Sequence, residues 1–335
     1  MRRLAIVGAT GAVGQEFLAI LRQRGLAGAE VKLLASARSA GRKVEGVAGP
    51  ARVEALTSDS FTGVDLAFFS AGSAVSREFV PVARRAGALV IDNSSAFRLD
   101  PDVPLVIPEV NPQALQAEQG LIANPNCSAI ILALVLWPLH CHWRARRVVV
   151  STYQAVSGAG ARALAELDEQ TRDALEGRPL RPRVFPVPCA FNVFSHDSPV
   201  GPDGYNGEEA KIIAETRKIF GDRELLIAPT CIRVPVRRAH TETLAIEFER
   251  PVTPQQARAV LAAAPGVRVV DDPQRQRFPT PLEATGGDEV LVGRLRQDPS
   301  VAGDRGLQLM CCGDQLRKGA ALNAIQIAEL LQAIR

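Results

Sequence analysis

The chain has 335 residues, of which 47% are hydrophobic and 22% charged, and its mean hydropathy is +0.05. This length is typical of about two domains, and the apolar content suffices for a core in each, which excludes a disordered or fibrous protein. The 39 basic and 36 acidic residues give a net charge of +3, which argues against nucleic-acid and membrane-surface partners and requires any anion site to be local.

The cysteine and histidine content points to an intracellular protein without structural metal. Six dispersed cysteines without a CxxC pair do not form a disulfide framework, and the four histidines lack zinc-ligand spacing, so that no metal site is expected. The longest apolar run, residues 129–139, is about half a membrane span long and contains a proline. We therefore expect a soluble, cytoplasmic protein with reduced thiols and no membrane partner.

The first third of the chain alternates short β-branched segments with amphipathic helical patterns. The predicted strands are residues 4–7, 31–35, 66–69 and 89–92, and the predicted helices are residues 13–24 and 75–86. Strands separated by helices rather than by tight hairpin turns indicate βαβ units. The predicted fold is therefore α/β, with a Rossmann-like, doubly wound parallel sheet at the start of the chain.

A glycine-rich turn links the first predicted strand to the first predicted helix. It consists of Gly8, Ala9, Thr10, Gly11, Ala12, Val13 and Gly14. Such a turn lets backbone N–H groups approach a pyrophosphate at the positive end of a helix, although G-x-x-G-x-x-G departs from the G-x-G-x-x-G fingerprint. A tight strand–helix turn without a ligand is the alternative.

The end of the second predicted strand bears on which dinucleotide would bind. An NAD site favours an acidic residue there, to accept from the ribose 2′-hydroxyl. This chain has Ser36 and Arg38 instead. A hydroxyl and a guanidinium suit a 2′-phosphate and favour NADP, whereas the alternative is a solvated arginine.

Cys127 stands in an unusual local context. It follows Asn124, Pro125 and Asn126 and precedes an apolar helical run at 129–136. Because Pro125 disfavours helix before it, Cys127 is expected in the first turn, where exposed N–H groups lower a thiol pKa and favour a nucleophilic thiolate. A free cysteine is otherwise a small buried hydrophobe, which is the interpretation for Cys141, Cys189, Cys231, Cys311 and Cys312. Position alone leaves both roles open for Cys127.

The second half of the chain has a different pattern of predicted strands and helices. It contains a predicted strand at 147–153, helices at 161–175 and 208–220, a proline-rich loop at 178–188, longer antiparallel strands at 230–236 and 243–248, and an amphipathic helix at 318–334. This indicates a second, α+β domain. The predicted boundaries are a cofactor domain at 1–126, a second domain at 127–317, and a last helix at 318–335 that returns to the first domain.

Seven segments, spread in order along nearly the whole chain, resemble the aspartate-β-semialdehyde dehydrogenase family. They are GATGAVG, SSAFR, NPNCS, TYQAVSGAG, GYNGEEAKII, CIRVPVRRAH and RKGAALNAIQIAE. The resemblance implies NADP-dependent reductive dephosphorylation of L-aspartyl-4-phosphate to L-aspartate-β-semialdehyde, through an acyl-thioester on Cys127. It places the enzyme in the biosynthesis of lysine (through diaminopimelate), threonine and methionine, and implies a homodimer formed through the second domain.

The resemblance also assigns roles to individual residues of the second domain. His240 is implied as the general acid/base, with a pKa near the working pH, Gln154 as the residue that orients the substrate, and Arg233 as the partner of the substrate α-carboxylate. On one strand, positions 233 and 240 would face opposite sides, so a bulge or bend near Pro235 is required if both enter one site. Whether Arg237 and Arg238 lower the pKa of His240 is not decided by the sequence.

The remaining assignments concern the substrate amine, the phosphate and the cofactor. Glu208 and Lys211 share a helix face, and the family implies that Glu208 binds the amino group and Lys211 the phosphate, against the alternative of a solvated salt bridge. Arg98 and Asn126 are implied to bind phosphate as well. The residues implied to lie near the nicotinamide are Ser157, Gly158 and Asn323.

Two other functions compete with this interpretation. N-acetyl-γ-glutamyl-phosphate reductase shares the architecture, but its substrate has a blocked amine that does not need an acidic partner such as Glu208, and its cysteine segment has glycine in place of Asn126. A catalytically inactive paralogue acting as a binding protein should have lost some of Cys127, Gln154, Arg233 and His240. All four are present.

Overall fold

The structure is a computed structural model that describes residues 3–24, 30–116 and 118–334, with side chains described as far as Leu331. The chain divides into two compact units. Unit 1 comprises Met1–Asn126 and Ala320–Arg335, and unit 2 comprises Cys127–Gly319.

Unit 1 is built on a parallel sheet. Its strands are β1 (Arg3–Val7), β2 (Glu30–Ala35), β3 (Lys43–Glu45), β4 (Pro50–Arg52), β5 (Glu54–Ala55), β6 (Leu66–Phe69), β7 (Leu89–Asp92) and β8 (Leu121–Ala123), and its helices are α1 (Ala12–Gln23), α2 (Ser73–Arg85) and α8 (Leu322–Ile334). Within the described ranges, six strands pair in parallel in the order β5-β2-β1-β6-β7-β8, and β3 and β4 form a separate antiparallel pair.

Helices cover both faces of this sheet. Successive residues of a strand point to opposite faces. Leu4 and Ile6 of β1 lie in a core shared with α1 and α8, whereas Ala5 and Val7 lie in a core shared with α2. The predicted α/β class with a doubly wound parallel sheet is therefore confirmed. The helix predicted at 318–334 begins with a π-helical turn at Arg317–Ala321 before α8.

Unit 2 contains a mixed sheet. Its helices are α3 (Cys127–Trp143), α4 (Ala161–Leu175), α5 (Gly207–Phe220), α6 (Pro254–Ala263) and α7 (Pro281–Ala284), and its strands are β9 (Ala145–Ala155), β10 (Phe194–Ser195), β11 (Leu226–Val234), β12 (His240–Phe248), β13 (Val267–Val269), β14 (Val290–Gln297) and β15 (Gly306–Gly313). Among the described residues, the strand order is β10-β11-β9-β12-β15-β14-β13.

The pairing of β11 corrects one sequence-based expectation. β12 is antiparallel to β9, but β11 is parallel to β9 and antiparallel only to the two-residue β10. The link between β11 and β12 crosses the end of β9, where the N–H of Val156 donates to the carbonyl of Val236 at 2.9 Å. The two strands therefore lie on either side of β9. Arg233 and His240 stand on different strands, so the bulge expected near Pro235 is not needed.

Helix α3 starts at Cys127, as Pro125 predicts, and continues through Pro138 to Trp143. Its apolar side chains are buried over most of its length, from Ala129 to Leu136 and again at Leu139. Across the described part of the chain, no helix is both long enough and apolar enough to span a bilayer.

Candidate active site

A row of polar side chains crosses the sheet of unit 2 over β11, β9 and β12. Arg233 of β11 is in register with Gln154 of β9, and Thr241 of β12 pairs with Tyr153, which puts His240 beside Gln154. Neighbours in register point to the same face of a sheet. Arg233, Gln154 and His240, here called the polar row, therefore share one face, and each is at most 3% exposed.

Cys127 lies against the polar row at the N-terminal end of α3. Its Sγ is 3.5 Å from Nε2 of His240. Gly319 packs on the same cysteine, because a Cβ at that position would lie 3.0 Å from the Cβ of Cys127. Sequence reasoning did not single out Gly319, although its place in the RKGAALN segment was a signal.

The ring of His240 has a defined tautomer. The backbone N–H of Ala155 donates to Nδ1 at 3.0 Å, so Nδ1 acts as the acceptor and the proton of the neutral ring resides on Nε2. The Nε2–H group therefore points at the sulfur of Cys127 as a donor. A donor in this position stabilises a thiolate.

The expectation that the pKa of His240 lies near the working pH is wrong for this structure. Complete burial, followed by the positive charge of Arg233, lowers the pKa of His240 to about 3, against a smaller opposing effect of Glu208. Arg237 and Arg238 are instead engaged in ion pairs with Asp168 and Asp314. The imidazole is thus neutral at physiological pH.

Glu208 is part of a buried network rather than a solvated salt bridge. It is 4% exposed, and Oε1 accepts from Nε2 of Gln154 at 3.1 Å while Oε2 accepts from Nζ of Lys211 at 3.1 Å. The hydroxyl of Thr152 donates to Oε1 of Gln154 at 3.2 Å. Asn206, two residues before Glu208, caps α5 and fixes the start of that helix. The carboxylate is therefore held at the polar row.

Two residues that sequence reasoning missed hold the guanidinium of Arg233. Its Nη2 contacts Nε2 of His196 at 2.8 Å and donates to Oδ1 of Asp197 at 2.9 Å, while Nη1 donates to the carbonyl of Ala155 at 3.2 Å. Burial works to raise the pKa of Asp197, but Arg233 outweighs it and holds that pKa below its usual value. His196 and Asp197 follow β10, and no sequence motif pointed to them.

The predicted SGAG turn also lies at the polar row. A Cβ on Gly158 would be 3.1 Å from Cε1 of His240 and 3.3 Å from Nη1 of Arg233, which leaves no room for a side chain without displacement. The hydroxyl of the neighbouring Ser157 accepts from Nε2 of Gln315 at 2.6 Å. Unit 2 thus brings together Cys127, Gln154, Ser157, Gly158, Glu208, Lys211, Arg233 and His240.

Glu242, two residues after His240 on β12, carries a buried carboxyl group. It points to the same face as His240, and neither of its oxygens has a hydrogen-bond partner among the described residues. Its neighbours in register are Thr152 and Cys311. Burial, and next the nearby Glu208, raise the pKa of Glu242 well above its usual value. The group is therefore protonated over a range in which an exposed glutamate is ionised.

Glu242→Gln is expected to make the protein relatively more stable as the pH rises above 4.5. Because the folded-state pKa of Glu242 is raised, the stability it contributes is present below the unfolded-state pKa and is lost as the pH rises toward the folded-state pKa. Between these two pKa values, the free energy of unfolding of the variant should rise relative to that of wild type by about 1.4 kcal/mol per pH unit. Urea unfolding of both proteins from pH 5 to 8 measures the difference. His240 is common to both and cancels, and a pH-independent difference would contradict the prediction.

The five cysteines other than Cys127 have thiol pKa values raised by burial. All six are free thiols. Burial raises the pKa of Cys189 to about 11 and that of Cys312 to about 12, and it also raises the pKa values of Cys141, Cys231 and Cys311. The described residues contain no group of three or more His, Cys, Asp or Glu side chains that could hold a metal ion.

The glycine turn of unit 1 is closely packed and leads into the N-terminus of α1. Gly8 has φ +91°, and a Cβ on Gly8 would lie 2.4 Å from the carbonyl oxygen of Ser70. A Cβ on Gly14 would lie 2.3 Å from the oxygen of Gly8. Helix α1 starts at Ala12 after Gly11, and no acidic side chain lies in its first turn. The residues from Gly8 through Thr10 and Val13 to Gly14 thus present a helix N-terminus suited to an anion.

Ser36 and Arg38 follow the end of β2 and are exposed. Arg38 makes no hydrogen bond or ion pair with any residue that the structure describes, so its guanidinium is available to a ligand. An available cation at the end of the second strand fits a 2′-phosphate.

The other predicted residues of unit 1 are buried. Nε of Arg98 donates to the carbonyl of Asn124 at 2.9 Å and Nη2 to that of Asn93 at 2.7 Å. Nδ2 of Asn323 donates to Oδ1 of Asn124 at 2.7 Å. Asn126 is 6% exposed and directly precedes Cys127 in the chain. The roles of these residues toward phosphate and nicotinamide stay predictions.

Comparison with known proteins gives a consistent result along the whole chain. Residues 3–118 match the semialdehyde dehydrogenase NAD binding domain, and residues 136–318 match the semialdehyde dehydrogenase dimerisation domain. An aspartate-semialdehyde dehydrogenase of Synechocystis sp. is 50% identical over 329 residues, covering 98% of this chain and 97% of that protein. Its counterpart in Aquifex aeolicus is 47% identical over 333 residues, covering 98% of this chain and 97% of that protein.

A solved structure agrees with these relatives. The crystal structure of aspartate semialdehyde dehydrogenase II from Vibrio cholerae, complexed with ASA, has a TM-score of 0.95 to this chain and 40% sequence identity, covering 99% of this chain and 98% of that chain. Identity of this degree over both units, together with Cys127 beside the polar row in unit 2, goes beyond a shared fold. The chain belongs to the aspartate-semialdehyde dehydrogenase family.

Proposed function

We propose that this protein catalyses the reversible, NADP-dependent reductive dephosphorylation of L-aspartyl-4-phosphate to L-aspartate-β-semialdehyde, in lysine, threonine and methionine biosynthesis. The observation that carries the proposal is the placement of Cys127 at 3.5 Å from His240, within a buried row that also holds Arg233 and Gln154. Acyl transfer from an amino-acid acyl phosphate needs a soft nucleophile, a hydrogen-bond donor directed at that nucleophile, and a cation that binds the substrate carboxylate.

Cys127 carries the covalent step. Its thiolate attacks the acyl carbon, the new C–S bond forms, the C–O bond to phosphate breaks, and the departing phosphate takes a proton from solvent. When bound, NADPH supplies the hydride that reduces the thioester. The resulting alkoxide re-forms a carbonyl as the C–S bond breaks, and the electron pair returns to sulfur. No net proton from His240 is required, so its Nε2–H stabilises the sulfur and oxygen anions by hydrogen bonding.

The buried groups of unit 2 select the rest of the substrate. Arg233 binds the α-carboxylate, Glu208 binds the α-ammonium group, and Gln154, already bonded to Glu208, orients the carbonyl carbon toward Cys127. A charged amine stabilises a buried carboxylate. Opposite a neutral N-acetyl group, the same carboxylate is desolvated without compensation. Glu208 therefore favours aspartyl phosphate over the substrate of N-acetyl-γ-glutamyl-phosphate reductase.

Further residues bind the phosphate and the cofactor. Lys211, Arg98 and Asn126 bind inorganic phosphate and the phosphoryl group. The glycine turn binds the pyrophosphate of NADP, Ser36 and Arg38 bind its 2′-phosphate, and Ser157, Gly158 and Asn323 contact the nicotinamide. Residues 1–126 with the last helix form the NADP-binding domain, and residues 127–317 form the catalytic domain.

The second domain also forms a homodimer. The match of residues 136–318 to a dimerisation domain supports this assembly. The face of the sheet opposite the polar row is only partly covered, with Tyr153 36% exposed and Val149, Ala245 and Met310 partly exposed. A second copy would cover it, and light scattering should give about twice the chain mass of 35.8 kDa.

Free thiols and small polar metabolites as substrates favour a cytoplasmic location.

The activity is tested in the oxidative direction. Purified protein with L-aspartate-β-semialdehyde, inorganic phosphate and NADP should produce NADPH, followed by absorbance, and the rate should depend on phosphate. NAD should give a lower kcat/KM because it offers Arg38 no phosphate. N-acetyl-L-glutamate-γ-semialdehyde should react far more slowly. Faster turnover of this N-acetylated aldehyde, or none of aspartate semialdehyde, would overturn the proposal.

A further inference from the structure

In the guanidinium of Arg233, one nitrogen has both of its hydrogens in hydrogen bonds, and another nitrogen has no hydrogen-bond partner. Both hydrogens of Nη2 are used, one toward Nε2 of His196 and one toward Oδ1 of Asp197. Nε of Arg233 is buried and has no hydrogen-bond partner among the described residues. Arg233 itself is 3% exposed. A buried, unpartnered N–H on a cation is costly unless a ligand satisfies it.

The shape of the guanidinium decides which edge an incoming carboxylate can use. A carboxylate bridges two parallel N–H bonds, either Nε–H with one Nη2–H or Nη1–H with the other Nη2–H. Both forks include Nη2. A substrate carboxylate that binds Arg233 through two hydrogen bonds must therefore replace one of the two groups now on Nη2.

Asp197 is the group that can leave. Its side chain is 26% exposed and can turn toward solvent, whereas the ring of His196 is 11% exposed and is also held by the hydroxyl of Ser198 at 3.1 Å. Asp197 also carries the same charge and the same functional group as the ligand. Two carboxylates on one fork repel each other, which favours departure of the one that reaches water.

We propose that Asp197 is a displaceable counter-ion whose place on Arg233 the substrate carboxylate takes while also satisfying the unpartnered Nε–H. The inference rests on the proposed function of Arg233 as carboxylate anchor. Between turnovers Asp197 neutralises a buried cation. Ligands without a carboxylate do not replace it on the fork, so their binding does not depend on the charge of Asp197.

Asp197→Asn keeps the shape of the side chain and removes its charge. The KM for L-aspartate-β-semialdehyde should fall about fivefold, because an amide competes less well than a carboxylate for a guanidinium, while kcat changes less than twofold. The KM for 3-aminopropanal, which is the same aldehyde without the carboxylate, should stay unchanged. Asp197→Glu, which restores the charge, should return the KM toward that of wild type.

A rise in KM together with a fall in kcat would overturn the inference, because it would show that Asp197 positions Arg233 for the substrate. Asp173→Asn serves as the matched control, since Asp173 pairs with Arg178 and not with Arg233. Calorimetric titration with L-2-aminobutyrate tests the same point without turnover and should show about fivefold tighter binding to Asp197→Asn. Equal affinities would contradict the inference, whereas a wild-type protein inactive toward aspartate semialdehyde would count against the proposed function alone.

Discussion

Cys127→Ala is expected to abolish NADP reduction in the presence of aspartate semialdehyde and phosphate, with kcat lowered about 10⁴-fold or more. The loss follows from the position of the sulfur at the start of α3, 3.5 Å from the Nε2–H of His240. Without the sulfur there is no thioester to reduce or to cleave with phosphate. Cys127→Ser keeps a nucleophile of similar size but a far weaker one at neutral pH, and it should lose nearly as much.

The same helix offers a matched control. Cys141 lies near the other end of α3 and is exposed. Cys141→Ala should keep wild-type kcat and KM, and it should still be inactivated by iodoacetamide at Cys127. Mass spectrometry of wild type mixed with the acyl phosphate should show one acyl group on the peptide that contains Cys127. Steady-state turnover by Cys127→Ala close to that of wild type, or acylation at another residue, would exclude the covalent mechanism.

The position of Cys127 could be predicted because it depends on its neighbours in the chain. Pro125 limits how early the helix can begin, and the apolar run after it continues the helix. The parallel sheet of unit 1 is local in the same sense, since each βαβ unit follows from adjacent segments, and its predicted strands coincide with β1, β2, β6 and β7 to within a residue or two. Local patterns thus predicted four strands of the parallel sheet and the start of α3 at Cys127.

The surroundings of His240 depend on strand pairing, which the sequence does not contain in local form. Its two Arg neighbours in the chain suggested a source of positive charge, yet both pair with aspartates elsewhere. Arg233, seven residues earlier, is the cation that acts on the ring, because β11 and β12 lie on either side of β9. The N–H of Ala155 that fixes the tautomer is also contributed by β9. Asp197 and Glu242 escaped prediction for the same reason.

His240→Asn is expected to lower kcat about 10²- to 10³-fold. The asparagine amide can occupy the position of Nδ1 and accept from the N–H of Ala155, but it does not reach the sulfur of Cys127. His240→Gln is longer and can place an amide N–H near the position of Nε2. If the role of His240 is to donate a hydrogen bond to sulfur and to the oxyanion, the glutamine variant should be at least tenfold more active than the asparagine variant.

The pH dependence distinguishes hydrogen-bond donation from proton transfer. Since burial and Arg233 lower the pKa of His240 to about 3, the ring stays neutral between about pH 5.5 and 8, and kcat/KM of wild type should show no limb that belongs to it. Protonation of Nδ1 would also break the hydrogen bond from Ala155, which opposes an imidazolium in the resting site. Steady-state kinetics of wild type and both variants across this range provide the measurement. A limb near pH 6.5 that disappears in His240→Gln would show that the ring exchanges its proton during turnover, and equal activity of the two variants would remove the case for a directed Nε2–H.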